Sequence, residues 1–381
     1  MNFHILKGPN FSGRTQRLRQ WVGLPNEAGS EVAYTQSAYI GPSAANSLSG
    51  IAPTVAAEIE IMAADEDAAA ESKQALDMLG FGHCLTQNPF TLSGGEQVAV
   101  AILAASSARP QRLAIDCALE QLSPDTRTGV LSYLGNLDGD LMIADNRLDE
   151  WHPGPVEEVE AVPGSPLMSP DPSCQPPCNS IEIELVDLCH SYVKNRPILT
   201  NLQMKFEAGR QYLLQGANGV GKTTLSKIMC GLLKPTSGEI RVNGRAVEPW
   251  RKPGALVGYS FQDPDLQLFA NTVTSQLAGA KRLDAVAKWF GLERNLSDHP
   301  LDLPFVLRKR LAIASTVGRE LGFAILDEPT IGQDRASACC VHDFAAAAGG
   351  IIISHSSIYA NLDRVTLTRA GTSECRQIHD K

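Results

Sequence analysis

The sequence predicts an α/β protein built twice over, each copy a parallel-rich sheet with flanking helices and a small helical subdomain. Three observations predict it. A strand, Gln211 to Gln215, enters the glycine loop Gly216-Ala-Asn-Gly-Val-Gly-Lys-Thr-Thr224. An apolar run, Phe323 to Leu326, ends in two acids, Asp327 and Glu328. The same order of features recurs on both sides of a proline-rich stretch, and internal repetition constrains a fold before any single element does.

The proline-rich stretch sets the domain boundaries. Eight prolines fall between Trp151 and Ser180, with few large apolar residues between them. Such a segment supports neither a regular element nor a core. It reads as a linker of residues 151–180 joining a domain of residues 1–150 to one of residues 181–381. Proline-rich chain extends by about 3.1 Å per residue, enough to bridge two docked domains.

In the C-terminal copy the loop has the pattern GxxxxGK[ST] in strand-loop-helix context, which is a phosphate cradle. Gly216, Asn218, Gly219 and Gly221 let backbone N–H groups wrap the phosphates; Lys222 brings a point charge, and the hydroxyls of Thr223 and Thr224 stand at the helix start. Thr223 and Asp327 are candidates to hold Mg²⁺, and Glu328 to polarise an attacking water. The buried strand Ile351-Ile-Ile-Ser ends in His355, at a spacing that suits a γ-phosphate contact.

This order of glycine loop, Gln262, Asp327-Glu328 and His355 resembles the ATP-binding cassette family over the whole chain apart from the linker. The resemblance implies ATP and Mg²⁺ as ligands. It implies that Tyr192 stacks on adenine, that Gln262 senses both Mg²⁺ and a partner, and that Asp334 crosses the interface of a paired domain. The catalytic residues it implies are Glu328, His355 and Gln262, with Thr223, Gln262 and Asp327 around the metal.

The N-terminal copy keeps the register. Leu92 to Asp116 spans 24 residues, as does Leu303 to Asp327; Gly8 to Leu92 spans 84 against 87 for Gly216 to Leu303. Its chemistry has changed, however. Arg14 stands for the loop lysine, and a planar fork is no conservative replacement for a compact ammonium. Cys117 stands for the catalytic glutamate, and Asp145 is read at the histidine position. The chain starts just before the loop, so the strand pair that carries the adenine-stacking aromatic is expected to be missing. This copy is expected not to hydrolyse ATP.

Yet the N-terminal half carries Leu92-Ser93-Gly94-Gly95-Glu96-Gln97, similar to the family's signature sequence, ahead of an apolar helix. Ser93, Gly94 and Gly95 would put a hydroxyl and free N–H groups at a helix N-terminus, which favours an anion. The C-terminal half reads Leu303-Pro-Phe-Val-Leu-Arg-Lys-Arg in that register, with the serine and both glycines gone. In the family, ATP lies between the glycine loop of one domain and the signature of the other. The chain is therefore expected to be an intramolecular head-to-tail pseudo-dimer with one working site and no obligatory homodimer.

Composition narrows the partners. A net charge of -9 offers no broad basic surface, so no nucleic acid is expected. No apolar run approaches the roughly 20 residues of a membrane-crossing helix, and no signal segment opens the chain, so a cytoplasmic location is expected. The nine cysteines, Cys174 and Cys178 included, form no paired metal-ligand pattern. The segment Gly258 to Val273 is similar to a loop of the ATPases of energy-coupling factor transporters, which import vitamins and transition-metal ions. That implies a subunit on the cytoplasmic membrane face, with integral membrane partners: an energy-coupling T-component and a substrate-binding component. Leu268 and Phe269 are expected to form the exposed apolar contact. The alternative is a soluble ATPase switch of the same fold acting on a protein or nucleoprotein complex; the acidic, proline-rich linker and the short loop-to-signature distance count against it.

Overall fold

The computed structural model describes residues 1–24, 36–146, 155–160, 168, 181–194, 196–217, 219–319, 321–354, 356–368 and 375–376. The chain divides into two units: Met1–Ser165 with Ile331–Arg335, and Pro166–Thr330 with Ala336–Lys381. Most of the proline-rich stretch lies outside the described residues.

The first unit runs β1 (Asn2–Lys7), α1 (Arg14–Trp21), β2 (Ser37–Ile40), α2 (Val55–Met62), α3 (Glu66–Met78), α4 (Gly94–Ser107), β3 (Arg112–Asp116), α5 (Pro124–Gly135), β4 (Asp140–Ala144) and β5 (Val156–Glu158). Its strands lie in the order β2-β3-β4-β1-β5, all parallel. Helices α2 to α4 form the insertion between β2 and β3. Every residue of α4 from Val98 to Ser107 is buried, so this helix is apolar on all sides rather than on one stripe.

The second unit runs β6 (Ile183–His190), β7 (Leu199–Phe206), β8 (Gln211–Gln215), α6 (Lys222–Met229), β9 (Ser237–Val242), β10 (Arg245–Val247), β11 (Val257–Ser260), α7 (Val273–Gln276), α8 (Leu283–Trp289), α9 (Phe305–Val317), β12 (Phe323–Asp327), α10 (Arg335–Ala348), β13 (Gly350–Ile353), β14 (Asp363–Thr366) and β15 (Cys375–Arg376). Its main sheet has the order β11-β12-β13-β8-β14-β15, parallel except for the last pair. An antiparallel sheet, β10-β9-β6-β7, covers the region before the glycine loop and reaches past it.

Placed side by side, the two main sheets share one strand order, with β2, β3, β4, β1 and β5 answering to β11, β12, β13, β8 and β14. The helical insertion also repeats. Thr54 caps α2 by accepting from the Ala57 N–H, and Thr272 caps α7 by accepting from the Ser275 N–H. Strand β12 is buried along its whole length, as a parallel strand covered on both faces must be, and that is why it reads as an unbroken apolar run. Among the described residues, no helix is long and apolar enough to cross a membrane.

Candidate active site

Parallel strands bring their C-terminal ends to one edge, and in the second unit that edge collects the chemistry. The glycine loop leaves β8 there and turns into α6 through Gly221, whose φ of 111° is left-handed and costs a glycine little. Lys222 begins α6, and its Nζ donates to the carbonyls of Gly216 at 2.7 Å and Ala217 at 3.2 Å. Both bonds are local and at most part-buried, so the ammonium can exchange them for phosphate oxygens. Thr223 follows, half-buried, and Thr224 shares a 3.3 Å hydrogen bond with the hydroxyl of Tyr192, itself an exposed ring.

Asp327 ends β12 and is buried; its Oδ2 accepts a 2.8 Å bond from the Tyr259 hydroxyl. Burial pushes the Asp327 carboxyl up to about 6, opposed by the Tyr259 bond and reinforced by the charge of Glu328. Burial, together with the charge of Asp327, raises the Tyr259 phenol too. A buried acid held against its ordinary value is relieved by a cation, so this donor set fits Mg²⁺. Glu328 lies in the left-handed region at φ 43°, with its N–H bonded to the Ile353 carbonyl at 2.8 Å and its Oε2 accepting from Ser354 Oγ at 2.9 Å. A non-glycine residue there is strained backbone of the kind that gathers at functional sites.

Gln262 follows β11. Its backbone carbonyl, with those of Phe261 and Asp327, accepts from Lys309 Nζ, each at 2.9 Å. Lys309 is fully buried in α9, and burial pushes its ammonium down to about 8. Tyr259, Ser354 and Lys309 had escaped the motif reading. A sequence signal existed for the first: Tyr39 and Tyr259 occupy the same register in the two copies, paired with Ala114 and Ile325 two residues before the strand-end acid. His355 and Asn218 lie outside the described residues.

The first unit has the same scaffold with different occupants. Gly13 turns into α1 at φ 86°, as Gly221 does into α6. Cys117 follows β3 at φ 54°, with its N–H on the Ala144 carbonyl at 2.7 Å, repeating the backbone of Glu328 with a thiol that burial holds protonated. Thr15 Oγ1 and Tyr39 both donate to Asp116 Oδ2, at 2.6 and 2.9 Å. The histidine position needs correcting. Asp116 pairs with Ala144 and Asp327 with Ile353, so Asp145 answers to Ser354, and the residue at the His355 position is Asn146. Asn146 Oδ1 accepts a 2.7 Å bond from Arg14 Nη2. Also within this unit, the Asn10 N–H donates to Asp334 Oδ2 and the Gly332 N–H to Glu120 Oε2, both at 2.9 Å.

Ser93 caps α4, and Gly94 and Gly95 are its first residues. Glu96 Oε2 accepts from both the N–H and the hydroxyl of Ser93, at 2.9 and 2.7 Å. At the matching end of α9 stands Pro304, with no side-chain cap. The expectation for the loop before α7 also needs correcting: Leu268 is buried at 3 % exposure, whereas Leu266 and Phe269 are exposed at 59 % and 82 %. The two-residue shift has a simple cause, since a short 3-10 turn over Pro264–Gln267 aims Leu268 inward. Beside that loop a groove of about 480 Å³ is lined by Tyr259, Phe261, Gln267, Gln276, Thr316 and Arg319, among others.

Comparison with known proteins bears on the same region. The sequence profile of the family described as ABC transporter matches residues 199–331. A putative ABC transporter ATP-binding protein of Methanosarcina acetivorans is 33% identical over 200 residues, 49% of this chain and 32% of that protein. The energy-coupling factor transporter ATP-binding protein EcfA1 of Thermotoga maritima is 38% identical over 146 residues, 35% of this chain and 55% of that protein. Among solved structures, cbiO1 from Clostridium perfringens, described as part of the ABC transporter complex cbiONQ, is 27% identical with a TM-score of 0.45, covering 51% of this chain and 87% of its own. The chain spans between about a third and three fifths of the length of the first curated relatives it matches. Residues 199–331, with their glycine loop, buried acidic strand end and α/β sheet, are thus the part of the chain that is similar to the family described as ABC transporter.

Proposed function

We propose that the chain is the ATP-hydrolysing subunit of a membrane transporter of the energy-coupling factor kind, importing a vitamin or metal ion, with one competent ATP site. The observation that carries the reading is the contrast at a shared backbone position. Glu328 and Cys117 occupy the same left-handed turn after the same strand, and one of them offers a carboxylate.

In this reading Tyr192 stacks on adenine, and Gly216, Asn218, Gly219 and Gly221 present N–H groups to the phosphates, with Lys222 and Thr224 beside them. Thr223, Gln262 and Asp327 hold Mg²⁺, which when bound supplies charge stabilisation on the transferring phosphoryl group. Glu328 orients and deprotonates the attacking water, and Ser354 fixes the Glu328 carboxylate from behind. His355 contacts the γ-phosphate. Ser93, Gly94 and Gly95, on the N-terminus of a 14-residue helix, complete this site from the N-terminal domain, in the head-to-tail pairing of residues 1–150 with residues 181–381.

The groove beside Leu266 and Phe269 supports a partner surface for an integral membrane subunit on the cytoplasmic side. The name of the Thermotoga maritima relative supports the energy-coupling factor kind. The test is to purify the tagged protein from solubilised membranes of its source and identify what accompanies it by mass spectrometry. Recovery of multi-spanning subunits is expected. Recovery with cytosolic proteins alone would replace the transporter by a switch acting on a soluble complex.

A further inference from the structure

Outside the nucleotide chemistry, one group of side chains is assembled like a ligand set. His83, Cys84 and Glu96 each offer one donor atom, and these atoms all lie within 4.8 Å of one another. His83 Nε2 lies 3.2 Å from Glu96 Oε1 and 3.5 Å from Cys84 Sγ.

These separations match a metal. With bonds of about 2.3 Å to sulfur and about 2.0–2.1 Å to nitrogen and oxygen, a tetrahedral zinc ion sets its ligands about 3.5 Å apart for N and S and about 3.3 Å apart for N and O. Hydrogen bonds span the same distances, so the case for a metal rests on three donors of three kinds gathered in one place.

The second copy of the fold supplies a control. Counting from the matched leucines Leu92 and Leu303, the same turn carries Arg294 and Asn295 in place of His83 and Cys84, and Leu307 in place of Glu96. The turn forms there all the same, as the short helix Glu293–Asn295 answering to Gly82–Cys84. None of the three donors is needed to build the element.

Second-shell support for the carboxylate and a route of entry are also present. The second carboxylate oxygen of Glu96 is fixed by Ser93, which leaves Oε1 aimed at His83. Gln87 Nε2 ties the His83 carbonyl at 3.0 Å and holds the turn. Cys84 is fully buried and the Glu96 side chain 7 % exposed, while that of His83 is 48 % exposed and gives an ion its way in.

We propose that His83 Nε2, Cys84 Sγ and Glu96 Oε1 form a binding site for a borderline divalent transition-metal ion of the zinc class, with a solvent water as fourth ligand. Nitrogen, thiolate and one carboxylate oxygen select this class over Mg²⁺ or Ca²⁺, which take oxygen ligands. Binding releases the thiol proton of Cys84 to solvent and leaves Glu96 Oε2 on Ser93, so that the ion locks the start of α4.

The test titrates Co²⁺ into the metal-free, reduced full-length protein and follows its absorption, then displaces it with Zn²⁺. One equivalent should give the visible bands of tetrahedral cobalt with a near-ultraviolet thiolate-to-cobalt band, and Zn²⁺ should remove both. Cys84→Ser should abolish the thiolate band, and His83→Ala, a change at a half-exposed side chain that leaves the fold intact, should weaken binding at least about tenfold. Absence of tetrahedral bands overturns the proposal. So does a thiolate band that survives Cys84→Ser, or unchanged affinity in His83→Ala, since either places the ion on other cysteines of the chain.

Discussion

Lys309 Nζ donates to the backbone carbonyl of Asp327 at 2.9 Å, and with its other two protons to the carbonyls of Phe261 and Gln262. One buried ammonium thus pins the strand end that carries Asp327, the proposed Mg²⁺ ligand, to the loop that carries Gln262. Lys309→Met keeps the stem and removes all three bonds. We expect a loss of about 1–3 kcal/mol in urea unfolding, from carbonyls left without a donor. Turnover should fall as well, because Gln262 and Asp327 are no longer held to one another.

The carboxylate at position 328 is expected to be the base. Glu328→Gln should lower ATP turnover about 100- to 10,000-fold while leaving nucleotide binding in place. Lys222→Ala should abolish hydrolysis through lost binding. Ser93→Arg, made in the other unit, should do nearly the same; full activity in this variant would sink the composite site.

At the corresponding positions of the first unit the outcome should be the reverse. Arg14→Ala removes a 2.7 Å bond to Asn146, and Cys117→Ala removes a buried thiol. Both should cost some stability and leave most steady-state turnover. An inactive Cys117→Ala would show that the silent site has been assigned to the wrong unit.

Asp327 gives the pH dependence. Its carboxyl, raised from 3.8 to about 6 chiefly by burial, must be ionised to fill its proposed place on Mg²⁺. Affinity for Mg²⁺, read by calorimetric titration, should fall as the pH drops through about 6, approaching about tenfold per unit. Stability runs the other way. A folded-state value above the unfolded one means the fold binds this proton more firmly, so the contribution is fully present below about 4 and lost as pH rises through about 6. Asp327→Asn should therefore gain on the parent in urea midpoint between these values and keep a constant lead above them.

The exposed pair Leu266 and Phe269 should matter to partners alone. Replacing both by serine should cut the yield of membrane subunits in the pull-down, whereas the fold, read by circular dichroism, should not change. Undiminished recovery would remove this loop from the contact surface.

Motifs that need particular residue types at fixed spacing were legible in the sequence. The glycine loop had to follow a strand and open a helix, and β8 and α6 do so. The repeat was legible as two matched distances, and it returns as one strand order in two sheets. What escaped was whatever depends on three-dimensional neighbours. Leu268 and Phe269 look alike in sequence, and only the turn at Pro264 decides which faces water. The slip at Asp145 arose because one residue of register separates β4 from its copy, and strand pairing rather than spacing fixes it. Lys309 read as one basic residue among three, and its burial is visible only once α9 packs under β11 and β12.

Tyr259 joins two places in the second unit. Its ring lines the groove beside Phe269, and its hydroxyl holds Asp327. Whatever settles in the groove and shifts that phenol changes how readily the aspartate takes a cation. Thermodynamic reciprocity then works in both directions: a partner that tightens Mg-nucleotide by some factor must itself be held tighter by the same factor once nucleotide is bound.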